Sequence, residues 1–234
     1  MLRIAVARLP DVPTAVGADA PGWMGDSERR RWPALPPAAR REFAASRALL
    51  RQLLEDSSGL AATAWDVSAE ADSPPVPTAT GVPPGGFHAS LSHRLGWVAA
   101  AIAGSAVGID IECERPPRSD PGERARLMLS QPELARWHAL PDHERDGALL
   151  THWTLKEAWF KAHSPEASAW DFRRVVASAC EPAHANARAW TAPPLHVALC
   201  CGDPAALAAA ACVGLDEARA HSSFWRVERA DLAT

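Results

Sequence analysis

The sequence contains no tyrosine and only three methionines, and it shows no excess of positive charge: 24 Lys and Arg stand against 28 Asp and Glu, a net charge of −4. The missing basic excess argues against general nucleic-acid binding, although local clusters such as Arg29–Arg30–Arg31 and Arg40–Arg41 can still attract phosphates. With no tyrosine, the aromatic content rests mainly on ten tryptophans, read here as core and cleft packing. The five cysteines form no C-x-x-C pair and no zinc spacing. Their odd number and lack of framework fit a reducing cytosol. The Cys200–Cys201 pair reads as buried structural thiols, and His138, His143, His152 and His163 match no zinc motif. Long apolar runs are also missing. The opening MLRIAVARLPDVP is too short in its apolar part for a signal peptide, and Ala205 to Leu215 is too short to span a bilayer. The expectation is a soluble cytoplasmic protein with neither a membrane nor a nucleic-acid partner.

What is present fits an ordinary globular protein, with 47% hydrophobic and 22% charged residues. A length of 234 residues permits one large domain or two small ones sharing a core. Leu2 to Leu9 reads as a first strand. Pro37 near a start and Gly59 just past an end, with Phe43, Leu50 and Leu54 at helical spacing, predict an amphipathic helix. Trp65 to Val67 reads as a short strand and Asp72 to Gly86 as a Pro- and Gly-rich loop. Strands follow at Phe87 to Leu91, Trp97 to Ala103 and Val107 to Ile111, and Pro116–Pro117 stops the run. Ser130 with Glu133 matches a capping box, and a longer helix is expected from about Asp142 to His163. The tail reads as strands at Phe172 to Ser178, Leu195 to Cys201, Leu207 to Val213 and Phe224 to Glu228. This order predicts an α+β fold of two similar halves, an N-terminal subdomain over 1–105 and a C-terminal one over 106–234.

Three stretches can carry chemistry. In AVGIDIECE, residues Ala106 to Glu114, strand alternation puts Val107, Ile109 and Ile111 on one face and Gly108, Asp110 and Glu112 on the other. Two carboxylates side by side repel unless they are solvated or something positive sits between them. In WTLKEAWFKA, Trp153, Glu157 and Lys161 share one helix face, and Glu157 before Lys161 is also the order of a simple surface ion pair. Taken together, Asp110, Glu112 and Glu157 can offer hard oxygen ligands to Mg²⁺, with Lys161 reaching a phosphate. In FHASLSHRLGWVAAAIAG, the adjacent Ser92, His93 and Arg94 can donate to phosphate oxygens, or form no more than a polar turn.

With these stretches in order, the chain resembles the Sfp-type 4′-phosphopantetheinyl transferases. Ser92–His93, Gly108–Ile109–Asp110–Ile111–Glu112, and Trp153 with Lys156, Glu157 and Lys161 correspond to that family's three motifs. The helix REFAASRALLRQLL, Arg41 to Leu54, is a weaker match. The resemblance implies two pseudo-twofold-related α+β halves with the active site between them. It implies transfer of the phosphopantetheine arm of coenzyme A to a serine of an acyl or peptidyl carrier protein, releasing adenosine 3′,5′-bisphosphate. By the same resemblance Asp110, Glu112 and Glu157 hold Mg²⁺. Glu157 also serves as base, Lys161 meets a phosphate, and Ser92, His93 and Arg47 contact coenzyme A. The default assembly is a monomer. Glu133 matches an acidic position in some members, but its capping role is sufficient to explain it. The chain departs from the family at DSPPVP, Asp72 to Pro77, which lacks a lysine, at Ser90 in place of an asparagine, and at AHSPEAS after Lys161. A metal-dependent phosphoesterase and a non-catalytic relative that binds a carrier or coenzyme A remain as alternatives.

Overall fold

Proline and glycine bracket the first long helix. Pro37 occupies the first helical position of α2, Pro37–Ser58, where its missing N–H costs nothing. At the other end Gly59, with φ of 74°, donates its N–H to the Glu55 carbonyl and closes the last turn. The buried face of α2, with Leu49, Leu50, Leu53 and Leu54, lies on Val98, Ala100 and Ile102 of strand β5, Trp97–Ala103. The computed structural model describes residues 1–14, 17–70, 73–114, 120–163, 171–216 and 219–230. Pro116–Pro117 and Ser164 to Ser168 of the AHSPEAS stretch lie outside the described residues.

In chain order the remaining elements are β1, Leu2–Arg8; α1, Asp26–Arg31; β2, Asp66–Val67; β3, Pro77–Thr78; β4, His88–Arg94; and β6, Val107–Cys113. They continue with α3, Pro121–Met128; α4, Gln131–His138; α5, Asp142–His163; β7, Val175–Ala179; β8, Ala187–Ala192; β9, Leu195–Cys201; α6, Pro204–Ala209; β10, Cys212–Val213; and β11, His221–Arg229. One sheet has the order β10-β1-β5-β4 and a second the order β6-β9-β8-β11-β7, and β2 pairs with β3. The second sheet is antiparallel throughout, while the returning β10 joins β1 in parallel. The fold is therefore α+β, as expected.

Alternation along β5 and β6 explains how the layers stack. Ala99, Ala101 and Ala103 of β5 face away from α2 and share an apolar cluster with Val107, Ile109 and Ile111 of β6 and Val197 and Leu199 of β9. The opposite face of the second sheet, with Ala177, Ala189, Ala198 and Cys200, is covered by Leu155, Ala158 and Phe160 of α5.

Several expectations need correction. Leu207 to Val213 is not one strand: Asp203 accepts the Ala206 N–H at 3.0 Å, Pro204 starts a helix, and only Cys212–Val213 remains extended. An aspartate cap followed by proline and an alanine run favours the helix over the strand. The Phe172 to Ser178 strand begins only at Val175, because the Asp171 side chain accepts the Arg173 N–H and closes a 3₁₀ turn. Helices α1 and α3 and strand β8 are additional to the expected elements.

Candidate active site

Gly108 decides how closely α5 can approach β6. A Cβ there would lie 1.9 Å from the Ala158 carbonyl oxygen and 2.6 Å from the Ala162 nitrogen, so helix backbone rests directly on the glycine. That contact sets the next residues of the same strand face, Asp110 and Glu112, opposite Glu157 and Lys161 of α5. Lys161 Nζ donates to Asp110 Oδ1 at 2.7 Å and to the Ile109 carbonyl at 3.1 Å. Glu112 forms an ion pair with Arg94 at 2.7 Å, reaching across to the end of β4. Glu157 is partly buried, and its carboxyl is pushed up to about 7. Burial contributes most, then the charge of Asp110; Lys161 opposes and Glu112 adds to the rise.

The three acids expected to converge thus sit within one electrostatic neighbourhood. Their donor type and the repulsion felt by Glu157 fit a small hard cation. As they stand, Asp110 and Glu112 are engaged by Lys161 and Arg94. Among the described residues, no three His, Cys, Asp or Glu side chains form a ready metal cage.

The Ser92–His93–Arg94 run does not act as one donor cluster. Alternation along β4 turns the buried Ser92 inward, where its hydroxyl donates to Asp110 Oδ1 at 2.9 Å and accepts the Ile111 N–H at 3.3 Å. His93 faces outward and pairs through Nδ1 with Glu42 of α2 at 3.1 Å. Arg94 turns back to Glu112. The turn itself is Leu95–Gly96, both at positive φ (46° and 83°), as a tight two-residue hairpin requires.

Residues 106–210 match the family model of the 4′-phosphopantetheinyl transferase superfamily. Over 157 residues, 66% of this chain and 65% of the relative's length, it is 27% identical to the 4′-phosphopantetheinyl transferase HetI of Nostoc sp. (strain PCC 7120 / SAG 25.82 / UTEX 2576). The matched stretch holds Asp110, Glu112, Glu157 and Lys161; Ser92, His93 and Arg47 precede it.

Within the matched stretch, the W-x-x-K half of the helix motif has a task separate from the E-x-x-x-K half. Lys156 is fully buried and spends its three protons on Met128 O at 2.8 Å, Glu133 Oε2 at 2.7 Å and Phe172 O at 2.9 Å. Glu133 also accepts the Ser130 N–H and O–H and, through its other oxygen, the Ala177 N–H at 2.8 Å. Burial alone would raise the Glu133 carboxyl, but the Lys156 charge and these hydrogen bonds hold it below its ordinary value. Trp153 stacks on Phe172 with centroids 4.7 Å apart. The pair therefore ties α5 to α3, α4 and β7 and fixes the rotation that aims Glu157 and Lys161 at β6. The Ser130–Glu133 cap was legible in the sequence; its lysine partner was not.

Arg47 lies 5% exposed, bonded to the Ser68 carbonyl and 3.9 Å from Glu28. Burial, with the neighbouring Arg51 and Arg31 charges adding to it and Glu28 opposing, lowers its pKa to about 10. Arg51 forks onto both oxygens of the fully buried Glu28, binding α2 to α1. Both arginines thus bond to groups of the N-terminal part, Ser68, Glu28 and Trp65. The signal that could have shown this is the placement of Arg47 and Arg51 on the same helical stripe as Leu50 and Leu54.

Proposed function

We propose that the protein transfers the 4′-phosphopantetheine arm of coenzyme A to a serine hydroxyl of an acyl or peptidyl carrier protein and releases adenosine 3′,5′-bisphosphate. The observation that carries this reading is the meeting of Asp110 and Glu112 on β6 with Glu157 and Lys161 on α5, inside the stretch that matches the superfamily. A HetI-like sequence supports the same reading.

In this reading the serine Oγ attacks the phosphorus on the pantetheine side of the diphosphate. A new O–P bond forms, the bond from that phosphorus to the bridging oxygen breaks, and the bisphosphate leaves with the electron pair. The serine proton passes to Glu157, which lies opposite Asp110 and Glu112 on the cleft side of α5. Lys161 opposes the charge that develops on the diphosphate oxygens. Exposed His93 is the further nucleotide contact, and Ser92 and Arg47 are held inside by the partners described above. Asp110, Glu112 and Glu157 would hold Mg²⁺, which when bound neutralises diphosphate charge. The reading takes the protein as a cytoplasmic monomer of two subdomains, 1–105 and 106–234, and its five free cysteines suit that compartment.

Incubation with coenzyme A, Mg²⁺ and a panel of apo carrier proteins should add the mass of one phosphopantetheine arm to at least one carrier. Folded protein that binds coenzyme A but modifies no carrier would support the non-catalytic reading. Release of phosphate from simple phosphoesters without carrier modification would support the phosphoesterase.

A further inference from the structure

Strands β4 and β6 lie at the edges of different sheets and pack against each other without a shared ladder. An edge strand carries backbone N–H groups that need partners when buried. Here β4 supplies them from side chains two residues apart: the Ser90 hydroxyl accepts the Ile109 N–H at 3.0 Å, and the Ser92 hydroxyl accepts the Ile111 N–H at 3.3 Å. The period of two that puts Ser90 and Ser92 on one face of β4 matches the period separating Ile109 and Ile111 on β6. Two serines thus stitch the seam between the sheets, and both are buried.

The two differ in where the hydroxyl proton points. Ser92 gives its proton to Asp110 Oδ1 at 2.9 Å, the same oxygen that takes the Lys161 donor at 2.7 Å. A hydroxyl that accepts from backbone and donates to a carboxylate has its rotor fixed from both sides. The Ser90 hydroxyl meets the Ile109 backbone instead. We propose that Ser92 is a positioning residue that locks the Asp110 carboxylate, committing Oδ1 to protein donors and leaving Oδ2 to serve a divalent cation. This rests on the reading of Asp110, Glu112 and Glu157 as a cation site. It gives Ser92 a role distinct from the coenzyme A contact that the family resemblance implies.

The test uses Mn²⁺ alone as probe, with bound and free ion measured by electron paramagnetic resonance on the full chain, and thermal unfolding to confirm the fold. Ser92→Ala should weaken Mn²⁺ binding by about 10-fold or more, the loss typical when a group that orients a metal ligand is removed. Ser90→Ala loses the equivalent seam bond and should stay within about two-fold of wild type, since the orienting contact remains. Ser92→Thr, which keeps the hydroxyl, should restore binding. If Ser92→Ala does not fold, Ser92→Cys, a weak donor of similar size, is measured in its place against the same expectation. Wild-type affinity in the Ser92 variant, or equal losses in the Ser90 and Ser92 variants, would overturn the positioning role while leaving the cation reading intact. A wild-type protein that binds no Mn²⁺ would overturn both.

Discussion

Glu157 carries the plainest electrostatic mark of a working site. Its carboxyl is raised to about 7 chiefly by burial and next by the neighbouring Asp110 charge. A folded pKa above the unfolded one means that ionised Glu157 costs stability above about pH 7 and that the cost vanishes as protonation is completed toward 4.5. Without divalent cations, Glu157→Gln should therefore melt higher than wild type at alkaline pH. The gain should be roughly 2–4 °C, the shift that about 1 kcal/mol makes at this size. The advantage should close as pH falls, and scanning fluorimetry across that range would check it; a constant offset would contradict the assignment. For Lys161, the contact with Asp110 Oδ1 places its charge where diphosphate oxygens are proposed to sit. Lys161→Ala should cut turnover by about 10²-fold with the fold retained, measured by carrier-modification kinetics.

Among the elements, α5 is the one whose placement matters most, and the Lys156–Glu133 pair is what fixes it. Removing one partner of a buried, hydrogen-bonded ion pair leaves an unpaired charge inside, at a cost of about 3–5 kcal/mol. Lys156→Met should lose stability of that order in denaturant titration, far more than an exposed lysine would. A near-neutral result would show that the clamp is not structural. This element also shows what the sequence could convey. Its limits, Asp142–His163, follow from local spacing, as do those of the Pro37–Ser58 helix between proline and glycine. Helices α3 and α6 share a start signal, Asp120–Pro121 and Asp203–Pro204, that the capping rules make readable. Strand β8 was harder to see, because Ala187 and Ala189 are small and offer no strong apolar alternation. In the site, the acids and Lys161 were legible because their spacing is local to β6 and α5. The inward turn of Ser92, the Arg94–Glu112 pair and the burial of Arg47 were not, since each depends on which strand or helix lies alongside.

At the scale of the whole molecule, the two sheets share a core where they face each other. One apolar cluster takes Ile4, Val6 and Ala99 from the first sheet and Ile109, Val197 and Leu199 from the second, and Cys212–Val213 of the tail pairs with β1. Shared burial of this kind couples the halves, so calorimetry should show one unfolding transition whose van't Hoff and calorimetric enthalpies agree. Two resolved transitions would mean that the seam contributes little. The Ser92 bond of the seam ends at Asp110, so the same junction that joins the sheets also holds the proposed chemistry. The most direct measurement is a crystal structure with Mg²⁺ and coenzyme A bound. The account predicts the diphosphate between β6 and α5, touching Lys161, with the ion on oxygens of Asp110, Glu112 and Glu157. Nucleotide bound on another surface, with the Asp110–Lys161 and Glu112–Arg94 pairs undisturbed and no ion between them, would contradict it.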